Sequence, residues 1–168
     1  MSYTFLARII RMIVVLFIQI LIFNNIHIAG YITPLFIGYM LIPFNKGAGR
    51  IELLIWGFIT GLIFDMFSNT AGMGAASCTL LAMLQPGLVN LFTPRDAADN
   101  FTPGFRTMGV WGFTCYCLLS MLVLHGLFYA LDAFMLQDWL LTLIAIAGGS
   151  LATMVLCIVA ELAIKSKD

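Results

Sequence analysis

Among the ionisable side chains in or beside apolar stretches, three are candidates for chemistry: Asp65, His125 and His27. A carboxylate and two imidazoles can form a hydrogen-bonded pair, transfer a proton or bind zinc. Their spacing defines no zinc geometry, so we interpret them as a polar site that binds a partner or stabilises the fold, without metal. An alternative is that Asp65 only caps backbone groups at the turn that follows it.

The rest of the chain lacks the residue arrangements on which common enzymes depend. It contains no nucleophile beside a base, no glycine loop that would hold a phosphate and no paired carboxylates. The four cysteines all lie within apolar stretches and fit no zinc-binding pattern. We therefore expect no catalytic residue, no cofactor and no enzymatic activity.

Small residues precede the candidate acid at helical spacing. Gly57, Gly61 and Asp65 recur every four residues, which places them on one side of a helix. A Gly-x-x-x-Gly pair lets another backbone approach closely, so this side should pack inside a bundle and carry the acid with it. A second stripe, formed by Ala145, Gly149 and Thr153, predicts another helix contact. Gly72 and Ala75 are further candidates for helix packing.

The elements that position these residues follow from composition. Hydrophobic residues make up 62% of the chain and charged residues 10%, which is typical of membrane proteins. Because the net charge is zero, we expect no nucleic-acid partner, and the apolar composition predicts contact with membrane lipid. Stretches of about 20 apolar residues predict six transmembrane helices. They cover residues 5–23, 26–44, 51–67, 72–92, 108–131 and 139–164 of one all-α domain, residues 1–168.

The second of these stretches is irregular, because Gly30 and Pro34 interrupt it and Pro43 ends it. Such breaks persist in a membrane only where neighbouring helices or water satisfy the freed backbone groups. We therefore expect polar partners around this segment.

The basic residues predict the orientation. Two lie near the start of the first stretch, two follow the last one, and the other four lie in alternate gaps. Under the positive-inside rule this pattern places both termini in the cytoplasm. The basic residues are Arg8, Arg11, Lys46, Arg50, Arg95, Arg106, Lys165 and Lys167.

The segment around Asp65 resembles the rod shape-determining MreD family. Members carry Gly-Leu-x-x-Asp, a glycine seven residues later and then an alanine. The matching residues are Gly61, Leu62, Asp65, Gly72 and Ala75, whereas Ala71 stands where close relatives have proline.

The resemblance extends over most of the chain. It includes residues 24–27, which contain His27, and residues 91–96, which contain Arg95 and Asp96. It also includes residues 106–109, which begin with Arg106, so the cytoplasmic loop is a further candidate site.

The resemblance implies a non-enzymatic scaffold of the bacterial inner membrane. Such a protein supports lateral peptidoglycan synthesis beside MreC, the actin-like MreB and the RodA–transpeptidase pair. The implied fold is similar to the six-helix substrate-binding components of energy-coupling vitamin transporters. A vitamin- or small-ligand-binding transport subunit is therefore an alternative, although the first stretch lacks the Ala-x-x-x-Ala docking pattern of those subunits. An enzyme acting on lipid-linked wall precursors is a third interpretation, which lacks a catalytic constellation.

Overall fold

The computed structural model describes residues 2–25, 33–93, 97, 101–133 and 139–165. Within this part the chain is helical and contains no strand. Five α-helices are long and apolar enough to cross a membrane. They are α1 (Ser2–Leu21), α2 (Arg50–Ser68), α3 (Met73–Phe92), α4 (Phe105–Ala133) and α5 (Trp139–Lys165), and two short 3₁₀ helices cover Phe23–Asn25 and Phe36–Met40.

The distribution of side chains is that of a membrane bundle. Large apolar residues such as Phe17, Met66 and Trp111 are exposed on the outside, whereas Gln85 and His125 are buried. Exposed apolar surface of this extent is rare in soluble monomers and matches a lipid environment. The five long helices therefore confirm the corresponding predicted stretches, with bounds that differ by a few residues.

Helices adjacent in sequence are also adjacent in space: α2 packs against α3, α3 against α4, and α4 against α5. A short turn joins α2 to α3. Asn69 ends α2 in the left-handed conformation at φ 54°, and its N–H donates to the carbonyl of Asp65. Asparagine tolerates this conformation and is a common helix-ending residue, so the turn has a local explanation.

The described part of the second predicted stretch is not an α-helix. Residues 33–44, here called the central segment, form the 3₁₀ helix Phe36–Met40 and turns, and residues 34–42 are all buried. Pro34 and Pro43 cannot donate backbone hydrogen bonds, which disfavours a continuous helix. Gly38 lies so close to α4 that an added Cβ would be 2.8 Å from Leu124 Cδ2. The segment therefore occupies the interior of the bundle.

Two loops that the sequence assigns to the cytoplasm meet at one end of the bundle. The backbone N–H of Lys46 donates to the carbonyl of Phe101 at 2.8 Å, and its Nζ donates to the carbonyl of Ala97 at 3.2 Å. Gly109, at φ 72° and ψ 168°, interrupts α4 shortly after this contact. Glycine adopts that conformation without a Cβ clash, so the first turn of α4 can bend toward the loops.

Candidate functional site

Asp65 caps the beginning of α3 from the end of α2. Its Oδ1 accepts hydrogen bonds from Thr70 Oγ1 at 2.5 Å and from the N–H of Gly74 at 2.8 Å, and its Oδ2 accepts one from the N–H of Ala75 at 2.8 Å. The first N–H groups of a helix have no partner within the helix, and the positive end of its dipole favours a carboxylate. Asp65 is only 6% exposed and satisfies two of these groups. The contacts of Asp65 are therefore those of a helix cap, which was the alternative to a polar binding site.

The Gly57–Gly61 stripe lies directly on α3. A Cβ added to Gly61 would overlap the carbonyl oxygen of Gly74 and lie 2.5 Å from the Cα of Ala75. One added to Gly57 would lie 2.8 Å from the carbonyl oxygen of Cys78. The two backbones are therefore in contact along the stripe, and the same contact brings Asp65 within reach of α3.

Gly72 has a role that differs from the predicted one. We expected a helix-packing residue, but an added Cβ at Gly72 would meet nothing within 4 Å. Gly72 instead precedes α3 in the left-handed conformation, at φ 81°, and its N–H donates to the carbonyl of Thr70 at 2.7 Å. A residue with a side chain would be strained there, so this glycine is explained by the turn.

His125 holds the central segment through a ring that is fully buried. Its Nδ1 lies 3.0 Å from the carbonyl of Met121 and must donate to it, which leaves Nε2 as an acceptor. Nε2 accepts from the hydroxyl of Thr153 at 3.3 Å and from the N–H of Leu35 at 3.4 Å. Gly149 makes room for the ring, because an added Cβ would lie 2.9 Å from Nε2. Both ring nitrogens are therefore engaged.

Asp65 and His125, which we predicted to belong to one polar site, bond to different parts of the bundle. Asp65 bonds to the α2–α3 turn, whereas His125 bonds to α4, α5 and the central segment. No group of three His, Cys, Asp or Glu side chains that could hold a metal ion occurs in the described part of the chain. His27, Arg95 and Asp96 lie outside the described residues.

Gln19 is a residue that our sequence reasoning missed. Its Oε1 accepts from the N–H of Phe36 at 2.6 Å, and its Nε2 donates to the carbonyl of Pro34 at 3.1 Å. At Thr33, which precedes Pro34, the backbone N–H donates to Tyr129 OH at 2.9 Å. One amide side chain on α1 thus replaces two hydrogen bonds that a regular helix would have made.

The other end of the central segment is held in the same way. Tyr116 OH donates to the carbonyl of Ile42 at 3.2 Å, and Gln85 Nε2 donates to the carbonyl of Phe44 at 3.3 Å. Side chains of neighbouring helices therefore satisfy backbone groups of the interrupted stretch. The available signal was the presence of two glutamines, Gln19 and Gln85, inside apolar stretches.

Replacement of Gln19 should destabilise the bundle. Gln19→Leu leaves a buried N–H and a buried carbonyl without partners, at about 1–3 kcal/mol for each group. We expect a clearly lower midpoint of thermal unfolding for the purified protein in detergent. Phe17→Leu, on the exposed face of the same helix, is the matched control and should unfold like the parent. Equal midpoints for both variants would show that the central segment does not depend on this amide.

The fold and the buried polar network define the class of protein: a helical membrane protein whose α-helices enclose a segment of 3₁₀ helix and turns. In comparisons with known proteins, no family model, no curated protein and no solved structure matches the chain.

Proposed function

We propose that the chain is a non-enzymatic scaffold of the MreD type, which binds MreC in the bacterial inner membrane and supports lateral peptidoglycan synthesis. The proposal rests on the geometry of the segment that resembles the MreD family, which contains Gly61, Asp65 and Ala75. Gly61 provides the close approach of α2 to α3, and Asp65 caps α3 through Ala75. Residues of one short motif thus act as one structural unit, which fits a role in fixing the shape of the bundle.

The use of the buried polar groups also supports a scaffold. Asp65, Gln19 and His125 each bond to backbone groups of a neighbouring segment. A proton relay or catalytic site needs polar groups that can reach a substrate or exchange protons. Here these groups stabilise the α2–α3 turn and the central segment, and a bundle of fixed shape requires such contacts.

The proposal includes six crossings with both termini in the cytoplasm, the central segment belonging to the second crossing. Reporter fusions after Thr70 and after Leu136 should read periplasmic, and fusions after Ala98 and at the C-terminus should read cytoplasmic. The reason is the one-sided distribution of basic residues. A phosphatase that is active only in the periplasm and a fluorescent protein that fluoresces only in the cytoplasm, fused at the same positions, should give opposite signals. A periplasmic C-terminus would contradict six crossings that start from a cytoplasmic N-terminus.

Crosslinking in cells tests the function. Single cysteines are placed at the exposed positions Ile13, Ile55 and Val155 after the four native cysteines are changed to alanine. The cysteine-free chain must first restore rod shape in cells depleted of their own MreD, and it then serves as the uncrosslinked control. We expect at least one position to trap MreC. Failure to restore rod shape at normal membrane abundance, together with no MreC adduct, would exclude the proposal. An adduct with a transport coupling subunit would indicate the vitamin-transport alternative.

A further inference from the structure

A charged cavity opens at the end of the bundle that the sequence assigns to the cytoplasm. Its volume is about 320 Å³, and its wall combines α1, the central segment, the loop before α4, the first turn of α4 and α5. Three ionisable side chains with charges at neutral pH line it: Arg11, Arg106 and Glu161. Two guanidinium groups face one carboxylate, so the wall carries excess positive charge.

The hydroxyl groups of this wall already donate to protein acceptors. Tyr39 OH donates to Glu161 Oε2 at 3.2 Å. Thr107 Oγ1 donates to the carbonyl of Thr102 at 2.7 Å, and Thr102 Oγ1 donates to Asn45 Oδ1 at 3.1 Å. Because each hydroxyl has a single proton, the donors left for a ligand belong to the two arginines.

The two arginines differ from their neighbour Arg8. Arg8 forms an ion pair with Glu52, and its guanidinium lies 4.5 Å from the centre of the Phe44 ring. Arg11 is half-buried and interacts electrostatically with Glu161, yet neither it nor Arg106 makes a hydrogen bond or an ion pair with another described residue. A half-buried guanidinium without hydrogen-bond acceptors is costly, so an external anion would stabilise it.

We propose that this cavity binds a phosphate group, supplied by the headgroup of an anionic membrane lipid. Arginine binds phosphate through paired N–H donors, and two arginines on different helices can approach different oxygens of a tetrahedral group. The cavity volume is large enough for a phosphate-bearing headgroup. Anionic lipid phosphates lie at the cytoplasmic surface, where positively charged side chains attract them. The site does not depend on the scaffold role.

The test is native mass spectrometry of the full chain in detergent with added phosphatidylglycerol. Arg11→Gln and Arg106→Gln should each weaken binding about tenfold or more, as expected for loss of charged hydrogen bonds. Arg106→Lys should restore part of the loss. Arg50→Gln is the matched control, since Arg50 is exposed at the same end but is not in the cavity wall, and it should leave binding unchanged. Unfolding midpoints measured in parallel show that each variant is folded.

Diolein, which has no phosphate, should not bind at the site. Equal losses for Arg50→Gln and the two cavity variants, or equal binding of diolein, would overturn the proposal. Competition with inorganic phosphate shows whether the bound phosphate group belongs to a lipid headgroup or to a soluble compound. Retention of the lipid against millimolar inorganic phosphate supports a headgroup site, whereas its displacement would overturn the lipid source and assign the site to a soluble phosphate compound.

Discussion

Gly61→Leu is expected to prevent stable accumulation of the protein in the membrane. The backbones of α2 and α3 touch at this residue, so even a Cβ would overlap the carbonyl oxygen of Gly74. Overpacking in a close-packed interior costs about 1–3 kcal/mol and occasionally more. Here the obstacle is backbone and cannot rotate away. The α2–α3 hairpin must then separate, and Asp65 loses its reach to the start of α3.

A graded series makes this prediction specific. Gly61→Ala should already lower the unfolding midpoint, and Gly61→Leu should lower membrane abundance measured by immunoblot. Gly87→Leu is the matched control, because Gly87 is an exposed α3 residue at which an added Cβ would meet nothing within 4 Å. Normal abundance of the Gly61→Leu protein would show that the two helices do not pack in this way.

The helices could be predicted because each depends on local sequence. Long apolar runs with polar gaps between them define α2, α3, α4 and α5, and the few residues between α2 and α3 leave room only for a hairpin. The Gly57–Gly61 spacing likewise predicts a packing face without tertiary information.

The conformation of the central segment could not be predicted in the same way. Its prolines indicate an interrupted helix, but its conformation depends on Gln19, His125 and Thr153, which are distant in sequence and belong to three different helices. A local pattern contains no information on which distant side chain will replace a lost helical hydrogen bond.

The predicted polar site that combines Asp65 with His125 shows a related limit. Their positions along the predicted helices place both in the outer half of the membrane, so depth alone makes them plausible partners. Depth does not indicate which helices are neighbours. α2 packs chiefly on α3, and the stripe that carries Asp65 faces it, whereas His125 faces the central segment and α5.

The second large effect is expected at Asp65, and its variants should form a graded series. Asp65→Leu leaves the N–H groups of Gly74 and Ala75 without acceptors, at about 1–3 kcal/mol each. Asp65→Asn keeps one carbonyl oxygen but turns an amide N–H₂ toward one of these two donors. From the sequence alone an amide should replace the carboxylate with little loss, but the two-oxygen geometry predicts an intermediate cost for Asn.

The comparison is scored by unfolding midpoint and by rod shape at matched membrane abundance. Asp132→Asn is the control, since Asp132 is a partly exposed acid near the end of α4 and caps no helix. It should behave like the parent. If Asp65 serves as a cap, stability and shape should decline in parallel from Asp to Asn to Leu. If Asn instead abolishes rod shape as completely as Leu while its stability and abundance stay near those of the parent, the negative charge itself has a function. A capping role alone would then be insufficient.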